Sequence, residues 1–475
     1  MAEQKTTDVM ETPSAVGGRE RSVAEGKAAR MRVPRESHSE LPLSPDRDPV
    51  ELILAQNASR VAELVPVRHG RMLVSPFTFF RGAAGPMAAD LAATPSSGLR
   101  VQLCGDAHLS NFGAFGSPER RLVFDLNDFD ETLPGPFEWD VKRLVASMAV
   151  AGRDNGLSDA DRQAATRSTA ATYRESMAEF AQMPMMDVWY SHFNIEDALA
   201  RLRSDLPKKA VRSTQKQIAK ALTRDNLQVL SKLTEVVDGR RRIVSDPPLI
   251  VPIEELAAEV DVDAAYAFLR GVVDDYAATL SPERASLVRR YALTGLARKV
   301  VGVGSVGTEA WILLMEPHDG LEPLLLQAKQ ASRSVLAEYA GESEFENQGQ
   351  RVVVGQRMMQ AASDIFLGWT RSAPSGRPSA DYYLRQLRDW KYSVPIERLD
   401  GPSLAAYGRM CGRTLARAHA RTGDRIAIAS YLGGSDAFDR AVASFGEAYA
   451  DLTVQDHAAL AAAVASGRAE ARDDV

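Results

Sequence analysis

The chain has 475 residues, 45% hydrophobic and 25% charged, with a net charge of −6, which fits two or three globular domains or one two-lobed unit and argues against a dedicated nucleic-acid binder. Its two cysteines, Cys104 and Cys411, are too few for a disulfide scaffold and suit a reducing, cytoplasmic setting. The N-terminus lacks the apolar core of a secretory signal, and no apolar run is long enough to suggest a membrane span or a membrane partner.

Residues 1–48 are polar and rich in Glu, Arg, Ser and Pro, which predicts a loose tail. A helical pattern starts at Asp48, placed to cap a helix ahead of Pro49. "RVQLCGD" and "RRLVFDLND" read as strands, short apolar runs bounded by Gly and Asp. From Glu138 to about Gln228 the pattern is mostly helical, with Val141, Leu144, Val145 and Met148 at helical spacing. "VDGRRRIVSDPPLIVP" predicts a hairpin and a Pro-rich turn, followed by helix to about Leu296. At Ala297 the composition changes. "ARKVVGVGSVGTEAWILLMEPHDGLEPLLLQAKQA" reads as three strands joined by a Gly-rich turn and a second turn, and a helix-like stretch precedes the strand-like "DYYLRQLRDW". "SLAAYGRMCGRTLARAHARTGD" opens a final Ala-rich helical region. The expectation is a helix-rich α+β protein divided into 1–48, 49–296, 297–395, 396–465 and a flexible 466–475.

The span "CGDAHLSNFGAFGSPERRLVFDLNDFDE" crowds acids between apolar runs. Asp106 and Asn111 stand in D-x-x-x-x-N spacing, which in kinases joins a catalytic Asp, acceptor of the hydroxyl proton, to an Asn that gives Mg²⁺ a neutral oxygen. Mg²⁺ also needs one or two carboxylates, and "NDFD" offers Asp128, with Asp125 and Asp130 as alternatives. A turn and a solvated loop would use the same residue types. The ordered set of strand, GD-x-H-x-x-N, strand, DFD and then a helix opening at "EWDVKRL" is the more specific feature. GD-x-H also begins two-metal phosphoesterase signatures, which need several further His ligands. His38, His69, His108, His192, His318, His419 and His457 include no Asn-His or His-x-His pair, so His108 is expected to shape the loop by hydrogen bonding.

"SPFTFFRG", "GDAHLSNFGAF", "VFDLNDFDE" and "PGPFEWDVKRLVAS" resemble the bacterial domain-of-unknown-function family numbered 2252, which is grouped with the protein-kinase-like superfamily of aminoglycoside phosphotransferases and choline kinases. The resemblance implies ATP and Mg²⁺ as cofactors. It puts Asp106 in the catalytic place, Asn111 and Asp128 in the metal places with Asp130 beside them, and Asp140 in a structural place. Cys104 departs from the His usual before the Gly-Asp of those small-molecule kinases.

A kinase also needs a glycine loop over the phosphates and a strand lysine that pairs them, ordinarily upstream of the catalytic Asp. No lysine lies between Lys27 and Lys142. Downstream, Gly302, Gly304 and Gly307 form G-x-G-x-x-G, with Ser305 inside it, and "PLLLQAK" is an apolar strand ending in Lys329. A dinucleotide fingerprint would have to open a helix, whereas "TEAWILLM" favours a strand. A glycine hairpin without a ligand uses the same residues. Glu338 is the expected acidic partner of Lys329, and "DYYLRQL" would lie near the adenine edge. The parts then occur in rotated order, which predicts a circularly permuted, two-lobed kinase-like fold: catalytic and metal loops with a helical lobe first, a nucleotide lobe over 297–395, and C-terminal helices completing the helical lobe. Permutation is feasible because domain termini often lie close together.

Elsewhere, the basic stretch around Lys208, Lys209, Arg212, Lys216, Lys220 and Arg224 reads as solvated surface or a polyanion site. Arg81 reads as a buried structural residue or a phosphate contact, His419 as a packed helix residue, and the methionines of "MAEFAQMPMMDVW" as core. The function expected is phosphoryl transfer from ATP to an unidentified acceptor. AMP transfer and a non-catalytic nucleotide-binding scaffold are the alternatives.

Overall fold

The computed structural model describes residues 15–193, 211–212, 215–216, 226–256, 262–300, 306–373, 378–387 and 392–472. Within them the chain is helix-rich α+β. Its strands are β1 (Arg100–Leu103), β2 (Phe112–Gly116), β3 (Leu122–Leu126), β4 (Leu133–Pro136), β5 (Thr234–Val237), β6 (Arg240–Ile243), β7 (Ile250–Pro252), β8 (Tyr291–Lys299), β9 (Ala310–Pro317), β10 (Leu324–Ala331), β11 (Gly368–Ser372) and β12 (Ala380–Gln386).

The last six strands, β7 to β12, form one sheet whose order in space differs from their order in the chain. The sheet runs β11-β12-β10-β9-β8-β7, with every neighbouring pair antiparallel. Side chains alternate across it. Leu324, Leu326 and Ala328 of β10 join Tyr276, Leu280 and Val288, from the helices Val262–Ala278 and Pro282–Val288 and the link between them. Leu325 joins Ile312, Leu314 and Ile243 on the other face. Each fully buried leucine contributes about 1.5–3 kcal/mol. Covering both faces explains why β10 opens on three consecutive leucines, Leu324, Leu325 and Leu326. On the Leu325 face the next residues are Gln327 and Lys329. The register sets Gln327 opposite Arg385 and Lys329 opposite Tyr383, so four polar side chains share the end of that face.

The helix Phe137–Asp154 buries every residue from Phe137 to Gly152. It packs against the helices Asp159–Gln182, Gly401–Thr422 and Ala437–Ala465. Asp48 caps Pro49–Ala55 as expected, accepting from the Glu51 N–H at 2.9 Å.

Several expectations need correction. The stretch 1–48, read as loose, contains a helix over Ala15–Arg32. Arg30 donates to the Tyr431 carbonyl at 2.8 Å and Arg35 to the Leu432 carbonyl at 2.6 Å, placing cations at the C-terminal end of the helix Arg425–Leu432. Arg47 bonds both Asp90 (2.6 Å) and Asp456 (2.7 Å). At the other end, expected to be flexible, Arg472 N–H donates to the Pro66 carbonyl at 2.9 Å and Ala469 is buried. Helix does not extend to Leu296: β8 begins at Tyr291, with a register shift between Leu293 and Gly295 that leaves Thr294 without a register partner on β9. Helix after β10 is divided between a single turn, Ala337–Ala340, and the longer helix Gln348–Met359. Met177 is core, but Met185 and Met186 are each 55% exposed. Residues 208, 209, 220 and 224 of the basic stretch lie outside the described residues.

Candidate active site

Two short ladders bring the acidic loops together. β1 pairs with β4, setting Leu103 opposite Leu133, and β2 pairs with β3, setting Phe112 opposite Leu126. Loop 104–111 therefore runs beside loop 127–132. Asn127 N–H donates to the Asn111 carbonyl at 2.8 Å, and Thr132 Oγ1 to the Leu103 carbonyl at 2.5 Å. Gly105 is at φ +84° with its Cα against the Glu131 carbonyl, so a Cβ there would overlap that oxygen.

The helix Phe137–Asp154 steers the first loop through two residues one turn apart. Asp140 accepts from Cys104 N–H (2.8 Å) and Gly105 N–H (3.1 Å), and His419 Nε2 lies 3.2 Å from the same carboxylate. Tyr173 Oη in turn meets His419 Nδ1 at 2.8 Å. Arg143 Nε donates to Asp106 Oδ1 at 2.8 Å, and its Nη2 donates to the Phe80 carbonyl at 2.7 Å. His108 Nε2 is 3.6 Å from Asp106 Oδ2, and Asn111 Nδ2 donates to the Asp106 carbonyl at 2.7 Å. The Asp106 side chain keeps 18% exposure, so it remains reachable from the cleft. Burial raises its carboxyl above the ordinary range, against the Arg143 guanidinium.

The second loop meets the end of the sheet. Lys329 Nζ is ion-paired with Asp130 and lies 3.7 Å from Asp128 Oδ2. Tyr383 Oη donates to Asp130 Oδ1 at 2.8 Å, and Arg385 Nη1 to the Asn127 carbonyl at 3.3 Å. Arg351, on the helix Gln348–Met359, donates to the carbonyls of Asp130 (2.8 Å), Thr132 (2.7 Å) and Ser332 (2.8 Å), tying the acid loop to the end of β10. Burial and the neighbouring Asp130 raise the Asp128 carboxyl. Burial pushes Asp130 the same way, but the Lys329 ammonium holds it below its ordinary range. Desolvation acts to lower Lys329, yet the two carboxylates raise it overall, so it stays protonated.

The two acid loops open into a cleft of about 410 Å³, whose lining includes Arg60, Arg81, Asp106, Asn111, Asp128 and Asp130. Glu338 also lines it, but the acids set against Lys329 are Asp130 and Asp128. Asp125 points elsewhere, with Arg417 at 2.6 Å and the Ala361 N–H at 2.9 Å. Gly307, at φ +91°, ends the turn before β9 and accepts from Val61 N–H at 2.7 Å. Gly302, Gly304 and Ser305 lie outside the described residues. Among the described residues no group of three or more His, Cys, Asp or Glu side chains is arranged to hold a metal. Asp128, Asp130 and Asn111 all line this cleft, and carboxylate and amide oxygens are the donor types that Mg²⁺ takes.

Sequence reasoning missed Arg143, Arg351, Tyr383 and Arg385. Arg143 had a signal, its i,i+3 spacing from Asp140 on a helix that starts beside the loop. The other three depend on packing or strand register.

No curated protein and no solved structure matches the chain. A family profile described as "Uncharacterized protein conserved in bacteria (DUF2252)" matches residues 60–463. The match spans both acid loops, the strand carrying Lys329 and the helix Gly401–Thr422, and the chain belongs to this family.

Proposed function

We propose that the protein is an ATP- and Mg²⁺-dependent phosphotransferase of circularly permuted kinase-like type, acting on a hydroxyl of a small-molecule or protein acceptor. The observation that carries the reading is that Lys329, from the late sheet, lies against Asp128 and Asp130, two acids that line the same cleft as Asp106 and Asn111. An acceptor base, a set of metal oxygens and a phosphate-pairing cation are the parts phosphoryl transfer requires.

In this reading Asn111, Asp128 and Asp130 would hold Mg²⁺, which would neutralise phosphate charge. Lys329 stands in as counter-charge between the two carboxylates while the nucleotide is away, and pairs the α/β-phosphates when it arrives. The glycine-rich segment 302–307, of which 302–305 lie outside the described residues, would in this reading offer backbone N–H groups to the phosphates. Arg143 holds one oxygen of Asp106, leaving Oδ2 to orient the acceptor hydroxyl and take its proton. Asp140 positions this loop through the Cys104 and Gly105 amides.

Calorimetric titration of ATP with and without Mg²⁺ tests the nucleotide half. Wild type should bind ATP in a Mg²⁺-dependent way, and Asp128→Asn should weaken that binding at least tenfold. Binding that ignores both metal and substitution would remove the basis of the reading.

A further inference from the structure

The cleft has a third wall, contributed by Gln56, Ser59, Arg60 and the end of the helix Pro76–Gly82 with Arg81. Its two arginines are differently placed. Arg60 belongs to the glycine turn: its Nη1 donates to the Val306 carbonyl at 2.5 Å, and its stem packs where a Gly307 Cβ would be, 3.0 Å away. Glu131 and Asp130 supply its opposing charge. Arg81 belongs to the other end, with Asp106 as its principal opposing charge. That carboxylate is already held by Arg143 at 2.7 Å. The Nε atoms of both Arg60 and Arg81 are buried without a hydrogen-bond partner among the described residues. Leaving a guanidinium N–H desolvated and unpaired is costly, and its planar fork suits a phosphate or carboxylate.

We infer that Arg81 anchors an anionic group on the acceptor, so that the acceptor carries an oxyanion, phosphate or carboxylate, near the hydroxyl presented to Asp106. This rests on the phosphotransferase reading for the word "acceptor", but the anion subsite itself does not. Arg60, tied to the 306–307 turn, serves the nucleotide side.

The test is calorimetric titration of the full-length chain at fixed ionic strength, with inorganic phosphate and with acetate as separate probes, alone and with saturating non-hydrolysable ATP analogue and Mg²⁺. Wild type should bind at least one probe, and the preferred probe identifies the anion class. Arg81→Gln should weaken it at least tenfold, Arg81→Lys by an intermediate factor, and Arg60→Gln by less than threefold. The anion should still bind when the nucleotide site is filled. Equal affinity in wild type and Arg81→Gln overturns the assignment. So does the absence of binding by either probe, or competition between anion and nucleotide. Failure of wild type to bind the ATP analogue would sink the phosphotransferase reading while leaving the Arg81 comparison readable.

Discussion

Replacing Lys329 with methionine keeps the apolar stem of a buried side chain and removes the charge between Asp128 and Asp130. Removing one partner of a buried ion pair costs about 3–5 kcal/mol while the remaining charge stays ionised. The two carboxylates have an escape, because one of them can take up a proton. For a carboxyl of ordinary pKa this costs about 4 kcal/mol at pH 7 and about 1.5 kcal/mol at pH 5. Those figures cap the loss. In the variant the folded state then holds a proton that the unfolded state does not, so stability rises as the pH falls from 7 to 5. In wild type, Asp130 is held below its ordinary range. Its contribution is therefore present above the unfolded carboxyl pKa and is lost only as the pH falls through the lower folded value. The gap between the two proteins should narrow from about 4 to about 1.5 kcal/mol between pH 7 and pH 5. Urea denaturation of both proteins at the two pH values measures it. A gap independent of pH, or one below about 0.5 kcal/mol at pH 7, would refute the idea that Lys329 neutralises a buried carboxylate pair.

Gly105→Ala forces a left-handed alanine against the Glu131 carbonyl. The backbone alone should cost about 1–3 kcal/mol in a thermal melt, and separating the two loops should lower turnover further. Asp140→Asn keeps the side-chain shape but cannot accept equally from the Cys104 and Gly105 amides, and should cost about 1–3 kcal/mol with a larger loss in kcat than in ATP affinity. His38 is fully buried, accepts or donates to Tyr431 Oη at 2.6 Å, and is pushed down to about 3 by burial and by Lys142. The unfolded chain therefore binds a proton here that the folded one refuses below about pH 6.5, so acidification to pH 4.5 should cost roughly 2–3 kcal/mol. His38→Gln should lose that part of the slope in pH-dependent denaturation.

The acid loops were legible because their signal is local. Asp106, Asn111 and Asp128 sit on either side of one strand pair, and both β1 and β3 follow apolar runs that mark them plainly. β10 was legible for the same reason, and with it Lys329 at the strand's end. What could not be read is everything set by register or docking. Tyr383 reaches Asp130 because β12 pairs with β10 in one particular register, which no local pattern encodes. Arg351 acts from a helix whose sequence carries no acid and so gave no reason to connect it with Lys329. The segment 15–48 looked loose because it is attached by arginines on helix-end carbonyls and by a buried Arg47–Asp90–Asp456 network, not by an apolar stripe. Tyr291–Leu296 kept a helical apolar spacing, and strand pairing with β9 outweighed it.

The central claim is that the cleft transfers the γ-phosphoryl group of ATP with Asp106 as base. Its most direct measurement is mass analysis of products from wild type and Asp106→Ala, each incubated with Mg·ATP across a panel of hydroxyl-bearing metabolites. The account predicts an acceptor heavier by one phosphoryl group together with ADP, and a rate at least about a hundredfold lower for Asp106→Ala with ATP binding retained. An acceptor carrying AMP would establish nucleotidyl transfer instead, and tight ATP binding with no product on any acceptor, or unchanged turnover in Asp106→Ala, would contradict the account.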